Sequence, residues 1–313
     1  MVPILYNRIF ITIILFISGI LSSFSLPPYN FFFINFFTIP FLFFILVKYL
    51  NQNSLNNFFI GWVYGFGYFL SNLYWISNSL RFDENFDNLI IFSIFFIPFL
   101  LSIFYGLFSF SLKFFNIKMN FSSIFIFSLI FSIFEYLRGT IFGGFPWNLI
   151  SFSLIEFTSS LQLLSIIGTY SFNLIILTFY CLPIIILFKI SSTRKFITTS
   201  IAVLIIFANS YYGDNRIKNI EQLDKKEFSP TIKLVSPRYN IERFFIDEPI
   251  ENKLNDLLNV SHPQNKDYLL IFPEGITNMG ELNKLDNDFS KISNKLTKDT
   301  KIILGITLDD GEK

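Results

Sequence analysis

Few of the 313 residues carry side chains suited to acid–base or covalent chemistry, and their spacing is informative. Glu135 and Arg138 stand three apart, close enough to pair on one helix face. They sit at the end of a strongly apolar stretch, where an ionisable residue marks either a functional site or a structural ion pair. Directly after them runs Gly139-Thr140-Ile141-Phe142-Gly143-Gly144-Phe145-Pro146-Trp147-Asn148, a glycine-rich loop with aromatic tips. Such rings favour the headgroup level of a bilayer. The loop therefore reads either as an interfacial anchor or as a surface that grips a lipid at the mouth of a site. Much later, Glu274 follows a short apolar run in Ile271-Phe272-Pro273-Glu274-Gly275. A carboxylate there can act as a general base, or simply cap the next helix.

Other reactive types are scarce. Cys181 is the single cysteine, so no intramolecular disulfide forms, and His262 is the single histidine, so no Cys/His cluster can hold zinc. Cys181 lies within an apolar segment beside Leu182-Pro183, and hydrocarbon does not favour the thiolate that nucleophilic chemistry needs, so it reads as structural. His262, in Val260-Ser261-His262-Pro263, reads as a solvated turn residue. A net charge of +1 offers no basic face for nucleic acid.

The elements that must position these residues emerge from the charge distribution. Only 14 of the 47 charged residues fall in residues 1–212. A spanning helix needs ~20 mostly apolar residues, and seven segments qualify, at about 9–25, 31–47, 58–77, 89–112, 120–137, 163–188 and 196–212. Loops on one side hold Arg8, Lys48, Lys113, Lys118, Lys189, Arg194 and Lys195, and those on the other only Arg81 and Arg138. Cytoplasmic loops carry the excess, so the N-terminus is expected in the cytoplasm and an odd span count places residues 213–313 outside it. Gly61 and Gly65 have the spacing that lets helices approach closely.

Residues 213–230 are polar and read as a linker. Beyond them, Thr231–Ser236, Tyr268–Phe272 and Ile302–Ile306 read as strands. Ile250, Leu254, Leu257 and Leu258 share one helix face, as do Phe289, Ile292 and Leu296. Strands alternating with helices predict a parallel α/β sheet. Two helices cover one face of so thin a sheet, whereas buried parallel sheets are covered on both. The predicted architecture is an α-helical transmembrane bundle over 1–212, a linker over 213–230 and an incomplete α/β domain over 231–313.

Four stretches, in order, resemble the apolipoprotein N-acyltransferases of the bacterial inner membrane. They are Ser23-Phe24-Ser25-Leu26-Pro27-Pro28-Tyr29, then Gly61-Trp62-Val63-Tyr64-Gly65-Phe66-Gly67 with Asn72-Leu73-Tyr74-Trp75. Glu135-Tyr136-Leu137-Arg138-Gly139 with Gly144-Phe145-Pro146-Trp147 is the third, and Phe272-Pro273-Glu274 the fourth. The resemblance implies a multi-pass inner-membrane protein with a periplasmic nitrilase-like domain. It also implies acyl transfer from a phospholipid to the amine of a diacylglyceryl-cysteine on a lipoprotein, through a cysteine thioester. Glu274 would be the first member of a Glu-Lys-Cys triad, while Arg138 and Phe145, Pro146 and Trp147 would help bind lipid substrate. No cofactor or metal is implied.

The sequence also departs from that pattern. After Glu274 it has six lysines and no cysteine, and none of those lysines matches the triad position. The expectation is a homologue whose C-terminal part is absent and which is inactive by itself. The alternative is a non-catalytic lipid-binding membrane protein, or one completed by a partner chain. A transporter with an external α/β module would require paired ionisable residues or broken helices at mid-membrane.

Overall fold

Long apolar runs form helices because backbone groups in hydrocarbon must bond within their own segment. A computed structural model of the chain describes residues 2–49, 54–81, 84–223, 231–236, 250–261, 268–273, 277–278 and 300–307. It divides the chain into two units, Met1–Leu223 and Asp224–Lys313.

The first unit is helical. Its elements are α1 (Val2–Ser23), α2 (Asn35–Tyr49), α3 (Ser54–Leu73), α4 (Asp87–Ser111), α5 (Phe121–Thr140), the short α6 (Thr158–Leu161) and α7 (Leu164–Ile167), α8 (Thr169–Cys181) and α9 (Ser192–Glu221). Among the described residues, five helical segments are long and apolar enough to cross a membrane. These are Phe32–Tyr49, Asp87–Phe115, Phe121–Gly143, Thr169–Leu187 and Ser192–Glu221. The other two expected spans, 9–25 and 58–77, are also helical but differ in character. The described apolar part of α1, Arg8–Ser23, is shorter. Helix α3 carries Asn56, Asn57, Ser71 and Asn72, and buries Tyr64, Gly65, Gly67, Tyr68 and Phe69 among its neighbours. A helix enclosed by other helices does not need a lipid-compatible surface all round.

Glycines set how closely α3 is enclosed. A Cβ on Gly61 would run into the Tyr105 carbonyl of α4, and one on Gly65 would lie 2.8 Å from the Tyr105 side chain. On the other side, a Cβ on Gly67 would meet the Phe16 carbonyl of α1, and one on Gly19 of α1 would meet the Tyr64 carbonyl. Helices α1 and α3 run in the same direction, with Ser23 beside Ser71 at one end (2.6 Å) and Arg8 and Asn56 lining one cavity at the other. The core of the unit is aromatic: Phe108 and Phe131 approach to 4.5 Å, and Phe43 meets Phe127 edge-on at 5.4 Å.

Two boundaries depart from expectation. The stretch 163–188 is broken at Gly168, whose φ of +75° separates α7 from α8. Helix α9 continues to Glu221, well into the stretch expected as linker, because its polar residues find partners on α6 and α7. Asn209 donates to the Ser160 carbonyl at 3.2 Å, and Ser159 pairs with Asp214 and Arg216 with Ser165.

The second unit contains a parallel three-stranded sheet in the order β1 (Thr231–Leu234), β2 (Tyr268–Ile271), β4 (Lys301–Ile303). Its register pairs Lys233 with Leu270 and Leu270 with Ile302. A separate pair joins β3 (Thr277–Asn278) to β5 (Ile306–Thr307). The third expected strand, 302–306, is thus divided between two ladders. Helix α10 (Ile250–Ser261) places Leu254, Leu257 and Leu258 against Val235, Tyr268, Leu270 and Phe272. On the opposite sheet face Leu234 is 77% exposed and Ile232 and Ile303 are half-exposed. The expected helix around 289–296 lies outside the described residues.

Candidate functional site

Helix α5 brings Glu135 and Arg138 to its last turn, and immediately beyond it the backbone reverses and lies back over the helix end. The Phe145 amide donates to the Arg138 carbonyl at 2.8 Å, and the Gly144 amide to the Ile141 carbonyl at 2.9 Å. The reversal depends on Gly144, whose φ is +75° and where a Cβ would run into the Gly139 carbonyl. Phe142 also takes a left-handed conformation, at φ +55°.

Arg138 organises the result. Its guanidinium bridges to Glu135 Oε2 at 2.5 Å and donates to the carbonyls of Phe145 (2.6 Å) and Trp147 (2.8 Å). The rings of Phe69 and Phe145 lie at 5.2 and 5.9 Å from it. Both members of the pair are buried, at 1% exposure each. A planar cation with a fork of donors suits this arrangement, because several acceptors can be held in fixed directions at once. Arg138 thus lies inside the protein and holds the loop through its two terminal nitrogens, while its Nε has no hydrogen-bond partner among the described residues.

The loop, by contrast, presents its rings outward. Phe142 is 98% exposed and Trp147 about half exposed. Trp147 stacks on Trp75, with centroids 5.9 Å apart, and packs against Phe145 at 5.3 Å. Pro146 lies exposed between them. The far end of the loop is tied to α3: the Tyr68 hydroxyl donates to the Asn148 carbonyl at 2.9 Å, and the Asn148 amide pairs with Asn72. Asn72 in turn donates to the Ser23 carbonyl of α1 at 3.4 Å. Behind the loop, Asn173 of α8 accepts from the Ser151 amide at 2.9 Å.

Four of the five site residues predicted from sequence, Arg138, Phe145, Pro146 and Trp147, thus form one assembly. Sequence reasoning named Asn72 and Asn148 only as members of longer stretches and did not name Tyr68 or Phe69; these four complete it. The available signal was the amides: an asparagine in an apolar helix requires a partner, since an unpaired amide in hydrocarbon is expensive. Glu274 lies outside the described residues, as does His262. The central strand β2 leads directly into Phe272, whose amide donates to the Ile303 carbonyl at 3.0 Å. Cys181 is buried in the bundle core beside Ile184 and Ile185.

The sequence model of the apolipoprotein N-acyltransferase N-terminal domain matches residues 18–182, more than half of the chain. A protein of Rickettsia typhi named apolipoprotein N-acyltransferase is 33% identical over 208 residues, covering 66% of this chain and 40% of its own length. One of that name from Rickettsia prowazekii has the same identity and coverage, and one from Allorhizobium ampelinum is 26% identical over 230 residues, or 70% of this chain and 42% of its own. The chain thus aligns with about two fifths of the length of these relatives. On the extent of that match and the order of its motifs, the chain belongs to the apolipoprotein N-acyltransferase family.

Proposed function

We propose that the chain serves lipoprotein maturation in the bacterial inner membrane, holding a phospholipid acyl donor and a diacylated lipoprotein acceptor at the outer surface of the bilayer. The observation that carries this reading is the Arg138 clamp: a buried cation fixes the carbonyls of Phe145 and Trp147, so that exposed rings stand at a set height. Helices α1 and α3 complete seven spans with the five longer ones. The N-terminus is then cytoplasmic and residues 231–313 periplasmic. The exposed side chains of Ile232, Leu234 and Ile303 support a nitrilase-like sheet that takes a second layer.

In this reading acyl transfer has two half-reactions. A thiolate attacks an ester carbonyl of the donor, typically phosphatidylethanolamine, and the tetrahedral oxyanion collapses to a thioester. The lysophospholipid leaves with the proton that Glu274 took from the thiol. The acceptor amine then attacks the thioester, gives its proton to Glu274, and the thiolate departs. A cationic lysine stabilises the oxyanion in each half. None of the lysines after Glu274 is assigned that part, and Cys181 is not the nucleophile, since it is packed in the bundle core. The chain by itself accordingly binds lipid without forming the thioester.

Mass spectrometry of the chain purified from membranes with added phosphatidylethanolamine tests both points. We expect retained lipid that is weakened by Trp147→Ala, with no covalent acyl adduct. An adduct removed by hydroxylamine and lost in Cys181→Ala would overturn the assignment of Cys181. Retention unchanged by Trp147→Ala would overturn the role of the loop.

A further inference from the structure

At the opposite end of the bundle from the Arg138 loop, residues of α1, α2 and α3 line a gap. At glycines 19 and 67 helices α1 and α3 are in close contact, and toward the other end Ile11, Leu15, Phe59, Ile60 and Val63 line the gap. The gap is a cavity of about 260 Å³. Its floor is apolar, and its rim carries Arg8, Thr12, Tyr49 and Asn56. Phe59 is 54% exposed, so the cavity opens at the surface of the bundle. Along α3 it lies ~20 Å below Asn72, the rise of the intervening residues. With a hydrocarbon core ~30 Å thick, that distance puts it in the other leaflet.

The charge that helices α1 to α3 carry is of one sign. No Asp or Glu occurs in residues 1–82, 88–134 or 157–213. Helix α1 and its neighbours α2 and α3 therefore offer Arg8 no carboxylate. Lys48 adds a second cation nearby, 5.4 Å from the ring of Tyr49. An occupant must combine an apolar chain with an anionic head. The volume falls just short of the ~300 Å³ at which small-molecule sites begin, which suits one acyl-chain segment entering from the bilayer.

We propose that this groove is a site for an anionic phospholipid of the leaflet opposite the aromatic loop, its phosphate on Arg8 and one chain against Ile11, Leu15 and Val63. The site is separate from any acyl-transfer chemistry and stands or falls without it. Native mass spectrometry of the full chain in detergent, titrated with phosphatidylglycerol and with phosphatidylethanolamine, provides the test. The unmodified chain should retain one phosphatidylglycerol in preference to phosphatidylethanolamine. Arg8→Gln should weaken it roughly fivefold, the effect of one cation at an anionic membrane surface. Val63→Trp, which fills the groove and spares the charge, should weaken it at least as much, while Lys189→Gln should leave it unchanged. Equal retention of the two lipids, retention by both groove variants, or an equal loss in Lys189→Gln would overturn the proposal. Trp147→Ala should leave phosphatidylglycerol binding intact, which separates this site from the loop.

Discussion

Glu135→Gln separates the two tasks of Arg138, neutralising an acid and holding a loop. Removing one member of a buried ion pair costs about 3–5 kcal/mol, because the partner charge is left behind. Here the guanidinium keeps two carbonyl acceptors, at 2.6 and 2.8 Å, and the faces of Phe69 and Phe145. Each ring contributes ~0.5–2 kcal/mol to a desolvated cation, and the glutamine oxygen still accepts one bond. The expected loss is therefore about 2 kcal/mol. Arg138→Met does the reverse. It strands the Glu135 carboxylate, whose Oε1 already lacks a hydrogen-bond partner, and orphans both loop carbonyls at ~1–3 kcal/mol each. That totals at least about 5 kcal/mol, comparable to the whole stability of many proteins. The double variant Glu135→Leu/Arg138→Met removes the stranded charge but not the orphaned carbonyls, and should recover about half of the loss. Unfolding in mixed micelles with increasing dodecyl sulfate, followed by tryptophan emission, measures all three. A Glu135→Gln loss equal to that of Arg138→Met would mean that the pair alone carries the energy, and would refute the clamp.

Two further substitutions test other parts of the frame. Phe142→Asn removes an exposed ring from a left-handed position that asparagine tolerates, so thermal stability in detergent should rise by up to about 1 kcal/mol while phosphatidylethanolamine retention falls; a drop in stability would show that Phe142 packs on something within the protein. Gly213→Val drives a side chain into the Ser159 carbonyl, and should cost about 1–3 kcal/mol by lifting α9 from α6, with Gly213→Ala intermediate. Equal melting temperatures for Gly213→Val and the unmodified chain would refute that contact.

Much of the bundle is legible in the sequence because hydrocarbon leaves a chain few options. Apolar length predicts helices at all seven segments, and the three-residue spacing predicts the Glu135–Arg138 pair. The acceptors of Arg138 are not legible. They are backbone carbonyls, brought within reach by positive φ angles at Phe142 and Gly144, and no pattern of residue types encodes that path. Residues 213–230 mislead for a different reason. Their polarity suggests a linker, but nothing from Gly213 to Glu221 breaks a helix strongly, and Asp214 and Arg216 satisfy themselves on α6 and α7. In the second unit, the apolar run Tyr268–Phe272 reads as a buried strand, but because Leu269 and Ile271 are as apolar as their neighbours, only the structure shows that Tyr268, Leu270 and Phe272 form its buried face. The run 302–306 conceals a change of ladder at Leu304-Gly305, because both halves are equally apolar.

The two ends of the α1–α3 pair show why polarity and packing are distributed as they are. At the loop end, Ser23, Ser71, Asn72, Tyr68 and Asn148 form a continuous chain of hydrogen bonds from α1 through α3 to the loop. Glycines allow the helices to approach closely enough for those short side chains to meet. Polar bonds of this kind are directional, and in a medium without competing water they fix register more than they add stability. The other end has the opposite composition: large aliphatic and aromatic side chains that line the gap, and cations without acids on helices α1 to α3. Apolar packing alone sets a distance but no unique register, so this end can admit a lipid chain without breaking any hydrogen bond. Introducing a hydrogen-bonding pair there, such as Leu15→Asn with Val63→Asn, should therefore close the groove while leaving the Arg138 loop unmoved, as the Trp75–Trp147 emission would report.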